Sequence, residues 1–253
     1  MISLVALEGI PEVSPGDDLA ALIAAALAAA GIGLADDDVL VVTQKIVSKA
    51  EGRVVELASI TPREEARAWA AMWGRDARQV ELVLQESAEV LRMANGGLII
   101  SRTRHGFVCA NAGVDLSNTG GGDAATLLPV DPDRSARQLR DGLRALTGAA
   151  PAIVISDSFG RPWRNGIVNV AIGVAGMEAL VDLRGTPDAQ GRLMHATVIA
   201  VADELASAAD LAGGKVEQRP VVVVRGFDVA AAEAGLGAGA AALVMERELD
   251  LFP

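Results

Sequence analysis

Ala152-Ile-Val-Ile-Ser-Asp-Ser-Phe-Gly-Arg-Pro-Trp-Arg, residues 152–164, begins as an unbroken apolar run and turns polar within a residue. Ala152 to Ser156 reads as a buried strand, because the run is short, β-branched and free of alternation. Val39 to Thr43 and Val221 to Arg225 carry the same signature, and Ile2 to Leu7 a shorter one. Gly97 to Arg102 and Gly106 to Ala110 read as a strand pair. Helices fall between these strands. Asp17 and Asp18 open an Ala-rich helix that Gly31 ends, with acids at its N-terminus and glycine at its C-terminal side. Thr61-Pro62 has the chemistry of an N-cap followed by a first helical turn. Asp76 to Arg92 reads as at least partly helical, Asp133 to Thr147 as a helix stopped by Gly148, and Leu193 to Ala212 as a long helix. The tail from Ala230 reads as helical or irregular. Strands and helices are mixed without a βαβ rhythm, which favours an α+β fold over a doubly wound sheet.

The chain has 253 residues, of which 51% are hydrophobic and 22% charged. That is an ordinary globular mixture, long enough to bury a core without disulfides or a structural metal. A formal net charge of −11 disfavours nucleic acid and anionic lipid as partners. Any phosphate must be met locally, by a few placed cations or by bound metal. Cys109 is the single cysteine, so no intrachain disulfide framework exists, as expected of a reducing compartment. The first residues lack the basic start and long apolar stretch of a signal peptide. The longest apolar run, Leu19 to Ala35, is Ala-rich with two glycines and reads as a helix and its exit turn, not a membrane span of roughly 20 strongly apolar residues. No repeat or low-complexity linker divides the chain. A cytoplasmic protein without membrane contact is expected.

Three segments look chemical. Gly113-Val-Asp-Leu-Ser-Asn-Thr-Gly-Gly-Gly-Asp places Asp115 and Asn118 in a glycine-rich turn after an apolar strand. A carboxylate there suits Mg²⁺ or Mn²⁺, which prefer oxygen ligands; a turn bonded to its own backbone explains it as well. In the 152–164 segment the buried strand delivers Asp157 and Ser158 to its carboxyl end, with Arg161 and Arg164 close behind. The carboxylate and hydroxyl can ligate metal, and the arginines suit bidentate recognition of phosphate or carboxylate. This concentration is hard to explain as a capped connection with surface arginines. Thr43-Gln-Lys-Ile-Val-Ser-Lys-Ala-Glu-Gly-Arg holds Lys45 and Lys49, four residues apart, which could meet phosphate. A solvated helix face is the simpler reading of that spacing. The flexible elements Gly9-Ile-Pro-Glu-Val and Gly213-Gly-Lys-Val-Glu-Gln-Arg-Pro could bring backbone N–H groups to phosphate. Neither a Walker loop nor a G-x-G-x-x-G loop occurs, the two histidines are far apart, and Cys109 reads as a small core residue.

Together these segments resemble the coenzyme F-420-0 (F420-0):L-glutamate ligase family, the gamma-glutamyl ligases. The matching stretches are Val42-Thr-Gln-Lys-Ile-Val-Ser-Lys-Ala-Glu-Gly, Cys109-Ala-Asn-Ala-Gly-Val-Asp-Leu-Ser-Asn, Ile155-Ser-Asp-Ser-Phe-Gly-Arg-Pro-Trp-Arg and Ala202-Asp-Glu-Leu-Ala-Ser-Ala-Ala-Asp-Leu. The resemblance spans nearly the whole chain. It implies an α+β fold with mixed, largely antiparallel sheets and packed helices. It implies one ligase unit over residues 1–253, open to division into two intertwined subdomains, and a homodimer. GTP as co-substrate, divalent Mn²⁺ or Mg²⁺ and monovalent K⁺ are further implications. By position, Asp115 and Asp157 become metal ligands and Ser158 part of a second metal site. Ile10, Pro11, Glu12 and Val13 line the nucleotide, with Gln44, Lys49, Asn118 and the segment from Gly213, Gly214 and Lys215 to Pro220. Lys215 stands where the family has Gln or Lys; a charged ammonium cannot ligate metal, so it is assigned to phosphate. Gln44 replaces the Ser or Thr frequent in the family, which weakens its assignment, while Ser158 for Thr keeps the hydroxyl. Some relatives carry an added flavin-reductase-like domain. The chain given ends at Pro253, so that activity is expected to be absent.

The implied reaction converts the lactyl carboxylate of F420-0 into an acyl phosphate with the γ-phosphoryl group of GTP. The amine of L-glutamate then displaces phosphate to form an amide. Arg161 and Arg164 are assigned to anionic substrate. Another nucleotide-dependent amide ligase on the same scaffold, and a non-catalytic nucleotide-binding protein, are the competing readings.

Overall fold

The computed structural model describes residues 1–94, 96–117, 123–229 and 237–250. Its centre is a five-stranded sheet in the order Ser3–Ala6, Val221–Arg225, Val39–Thr43, Ala152–Arg161, Arg164–Ala175. Only the Val39–Thr43 and Ala152–Ser156 pair is parallel, and the other neighbours run antiparallel. Smaller antiparallel groups complete the β structure of the described residues: Ser87–Ala94, Leu98–Thr103 and Val108–Ala110 in one, Val54–Glu56 with Ala124–Thr126, and Val181–Asp182 with Val198–Ile199. The fold is α+β with mixed, mostly antiparallel sheets, as the sequence led us to expect.

The apolar runs are continuous because the central sheet is covered on both faces. Leu40, Val42, Ile153, Ile155, Val221 and Val223 join Ile23, Leu27, Leu139 and Leu143 in one cluster. That side is covered by the helices Leu19–Ala29 and Pro132–Thr147. Val39, Val41, Val154, Val222 and Val224 point the other way, against Val201, Leu205, Ala206 and Ala209 of the helix Val201–Gly213. The period of two along each strand thus divides one apolar run between two cores. A third cluster, with Ala66, Val80, Val83 and Ile99, packs the helices Glu64–Trp73 and Ala77–Glu86 on the three-stranded sheet.

Two helices on the first face end as their sequences dictate. The Asp18 carboxylate accepts from Ala21 N–H at 3.0 Å, and the Asp131 carboxylate accepts from Arg134 N–H at 2.9 Å. Pro132 opens the longer helix and Gly148, at φ +80°, closes it. Gly173 is required by contact alone: a Cβ there would lie 2.5 Å from the Pro132 carbonyl oxygen.

Elsewhere tertiary structure moved the boundaries. Thr61 does not cap the next helix, which starts at Glu64. The buried Glu81 carboxylate instead reaches across, accepting from Arg63 N–H at 2.9 Å and from the Arg63 guanidinium at 2.8 and 3.0 Å. These bonds hold Glu81 down at about 2. The helical reading of Asp76 to Arg92 holds as far as Glu86; Ser87–Ala94 then pairs with Leu98–Thr103 as a strand. The helix expected from Leu193 starts at Val201, because Val198–Ile199 is taken up by pairing with Val181–Asp182. The strand at Ala152 does not stop at Ser156. It runs to Arg161 and turns back as Arg164–Ala175, so Asp157 and Ser158 lie within a long hairpin where burial fades, not at a strand end. In the tail, Gly239–Leu243 and Arg247–Leu249 are short 3-10 turns.

Ile153→Ala is expected to destabilise the protein by about 2–5 kcal/mol, since Ile153 is wholly buried between sheet and helices. Leu146→Ala, at an exposed helix position, should stay within about 0.5 kcal/mol of wild type. Denaturant unfolding midpoints of the two variants check this contrast.

Candidate active site

Four segments meet at the polar end of the parallel strand pair. Thr43 N–H donates to the Pro220 carbonyl at 2.9 Å, and Leu7 N–H to the Val221 carbonyl at 2.8 Å. These bonds bring the loop before Val221 and the segment after Leu7 beside the start of the helix Gln44–Ala50. Arg219 pairs with Glu8 at 2.7 Å, and Lys49 bonds the Glu12 carboxylate. Glu12, and with it the segment Ile10, Pro11, Glu12 and Val13, is thereby tied to Lys49, while Glu8 just before it is tied to the loop that leads from Gly213, Gly214 and Lys215 into Val221. Their environments differ. Val13 is buried in the main core, Ile10 packs against it, and Pro11 and Glu12 face solvent. Gly214 has φ +73°, a backbone conformation that favours glycine in this turn.

The solvated-face reading of Lys45 and Lys49 fails. Gln44, Ser48 and Lys49 are buried on a helix of seven residues. Ser48 Oγ donates to Gln44 Oε1 at 2.7 Å, while Gln44 Nε2 is buried with no partner among the described residues. Lys45, to which sequence reasoning assigned no individual role, pairs with Asp115 and acts electrostatically on Asp157. Its Nζ lies 2.8 Å from Asp115 Oδ2 and donates to Ser117 Oγ at 2.6 Å. The Lys-x₃-Lys spacing signalled a pair of cations, but it could not show that one would cross to a loop 70 residues on.

Asp115 is held by a β-bridge to Thr126, and its carboxylate accepts from Ser117 N–H at 2.7 Å. Burial pushes the Asp115 carboxyl up, but the Lys45 ammonium and the Ser117 bonds outweigh it and leave the group below its ordinary value. Asp157 is the opposite case. Burial first, and then the charge of Asp115, raise it to about 6 against the Ser158 N–H and the ammonium groups of Lys215 and Lys45. Two carboxylates close enough to disturb each other, with two lysines in the same field, make one compact charged site.

Ser158 Oγ donates to Asn169 Oδ1 at 2.7 Å and accepts from Lys215 Nζ at 2.7 Å. Lys215 thus reaches the proposed metal-binding hydroxyl from the glycine loop. Cys109 lies near enough to Asp157 to feel its charge; burial and that charge push the thiol up to about 12, which suits a core wall and not a nucleophile. Arg161 and Arg164 occupy the turn of the hairpin, where Arg161 Nη2 donates to the Asn165 carbonyl at 3.3 Å and Arg164 is exposed. Arg161 lies four residue steps beyond Asp157 along the strand, about 13 Å of extended chain. Asn118 lies outside the described residues.

The donor set fits a divalent cation in kind: the Asp115 and Asp157 carboxylates and the Ser158 hydroxyl are hard oxygen ligands. The raised Asp157 is an ionisable group whose negative charge lacks full compensation. Among the described residues no three His, Cys, Asp or Glu side chains form a metal-binding group, so the set depends on the hydroxyl as well as the two acids.

The sequence model of the F420-0:Gamma-glutamyl ligase family matches residues 9–226. The chain belongs to this family. It is 46% identical to the Coenzyme F420:L-glutamate ligase of Methanothermobacter thermautotrophicus, an alignment covering 99% of this chain and 98% of that protein. The Methanopyrus kandleri protein of the same name is 45% identical over 85% of this chain and 83% of its own length. That of Methanocaldococcus jannaschii is 41% identical, with coverage of 86% and 85%. The family match contains every site segment described above. Among the described residues no helix is long and apolar enough to cross a membrane.

A carboxyl whose folded value exceeds its ordinary 3.8 favours the folded state only while protonated. Stability should therefore fall as pH rises from about 4 to about 6 and then level off, with a total on the order of 3 kcal/mol. Asp157→Asn should remove that fall. In chelator-treated protein the variant should melt progressively higher than wild type across this window. A melting difference that is independent of pH would overturn the assignment.

Proposed function

We propose that this chain joins L-glutamate to F420-0 with GTP as the energy source, through an acyl phosphate, in the biosynthesis of coenzyme F420. The observation that carries this reading is the cluster of Asp115, Asp157, Lys45 and Lys215 within a family whose cited relatives are named for that ligation. A carboxylate is a poor electrophile, and phosphorylation supplies the leaving group that amide formation needs.

In this reading a carboxylate oxygen of F420-0 attacks the γ-phosphorus of GTP, and GDP leaves. The glutamate amine then attacks the acyl carbon, the C–O bond to phosphate breaks, and the amine loses a proton as the amide forms. Lys215 and Lys49, with Gly213, Gly214, Gln44 and the segment Ile10 to Val13, meet the nucleotide. Arg161 and Arg164 meet the anionic part of the acid substrate, entering along the hairpin. Asp115, Asp157 and Ser158 would hold Mn²⁺ or Mg²⁺, which offsets charge on the transferring phosphoryl group. Lys45 keeps Asp115 ionised. K⁺ dependence, a homodimer and a cytoplasmic location belong to the same proposal.

Incubation with GTP, Mn²⁺, L-glutamate and F420-0 should raise the mass of the deazaflavin by whole glutamyl residues, with one GDP formed per residue added. Asp157→Asn should lower that rate more than about 100-fold. Wild-type turnover in the variant would sink the metal assignment. GDP release only with a different acid would redirect the reading to another amide ligase, and nucleotide binding without GDP release would end the enzymatic one.

A further inference from the structure

The Ser158 hydroxyl is held by a hydrogen-bond chain whose direction can be read from its far end. Asn169 stands directly across the hairpin from Ser158 and is buried. Its Nδ2 donates to Asp210 Oδ1 at 3.2 Å. A carboxylate accepts only, so the amide must turn its NH₂ toward Asp210 and its oxygen toward Ser158. Asn169 Oδ1 can then only accept, and Ser158 Oγ must donate to it, at 2.7 Å. The hydroxyl proton is thereby committed inward and the oxygen lone pairs face the site. Lys215 Nζ, 2.7 Å from that oxygen, is a cation seated on them.

The helix Val201–Gly213 is fixed against the hairpin by bonds that do not affect this direction. Ser207 Oγ donates to the Asn169 carbonyl at 2.7 Å, and the Asp203 carboxylate accepts from Ala171 N–H at 2.8 Å, next to the register shift that interrupts the strand ladder. Asp203, Ser207 and Asp210 recur at helical spacing and so present one face to the strand. Of the three, Asp210 is the one hydrogen-bonded to the Asn169 side chain among the described residues.

We infer that Asp210 and Asn169 are positioning residues that make Ser158 a cation-binding oxygen by fixing the direction of its hydroxyl proton. Lys215 occupies that oxygen here, and a divalent ion would displace the Lys215 ammonium from it. The exchange rests on the function proposed above; the direction of the chain does not. Asp210→Asn is nearly isosteric but offers an NH₂ of its own. It frees Asn169 to flip, donate to Ser158 and turn the hydroxyl proton into the site.

The test is Mn²⁺ binding to nucleotide-free protein, followed by electron paramagnetic resonance of the free ion. Asp210→Asn and Ser158→Ala should each weaken Mn²⁺ binding by about 10-fold or more, the range typical when groups behind a ligand are changed. The double variant should bind no more weakly than Ser158→Ala alone, because both changes remove the same oxygen. Ser207→Ala, which cuts a helix–hairpin bond without reversing the chain, should lower the melting temperature and leave Mn²⁺ affinity unchanged. Unaltered affinity in Asp210→Asn, multiplying losses in the double variant, an equal loss in Ser207→Ala, or no Mn²⁺ binding by wild type would each overturn the inference. Mn²⁺ affinity requires neither F420-0 nor glutamate. Failure of ligation with these results intact would therefore count against the proposed function alone.

Discussion

Parallel pairing of Val39–Thr43 with Ala152–Ser156, between two helical layers, is the constraint on which the rest depends. Both strands are apolar on both faces, so neither can form except inside the protein. Each becomes polar at the same end of the pair: one enters the helix with Gln44, Lys45 and Lys49, the other continues into Asp157 and Ser158. Register then places a cationic helix start beside an acidic strand. The antiparallel neighbour Val221–Arg225 begins at that same end and brings the glycine loop with Lys215. Three segments far apart in sequence thus converge because their buried strands are neighbours.

The charges gathered there are unequal. Asp115 is compensated by Lys45 and by the Ser117 N–H, while Asp157 lies where burial and a like charge oppose ionisation. A carboxylate whose ionisation carries a cost to stability suits a divalent cation, because the incoming positive charge removes the penalty. Lys45 and Lys215 moderate the field without cancelling it. In a strongly acidic protein these two lysines are placed locally, against Asp115 and in the field of Asp157.

Asn169 and Asp210 belong to the same economy of buried polar groups. The hairpin is long and loses its apolar cover beyond Ser156, so the helix beside it is fixed partly by hydrogen bonds, not by apolar contact alone. Each bond has a direction, and a buried amide between a carboxylate and a hydroxyl admits one orientation. Structural support and chemical preparation of Ser158 are therefore served by the same side chains.

Sequence alone determined the elements whose physics is local. The strands Val39–Thr43 and Val221–Arg225 appear at the expected bounds because unbroken β-branched runs have no other soluble use, and the Asp18, Asp131 and Gly148 caps act on neighbouring backbone groups. The family was legible too, since its motifs are long. Tertiary structure decided what depends on partners distant in the chain. Glu81 replaced Thr61 as the support of a helix start, and pairing with Leu98–Thr103 turned the end of a helical pattern into a strand. It also extended the strand through Asp157 to Arg161, buried Lys49, and set Lys45 between Asp115 and Ser117. Periodicity records which side of an element is apolar, whereas an ion pair or a hydrogen-bond direction is set by the group that arrives opposite. In the 152–164 stretch, residue types announced the chemistry, and pairing with Arg164–Ala175 decided where each group would stand.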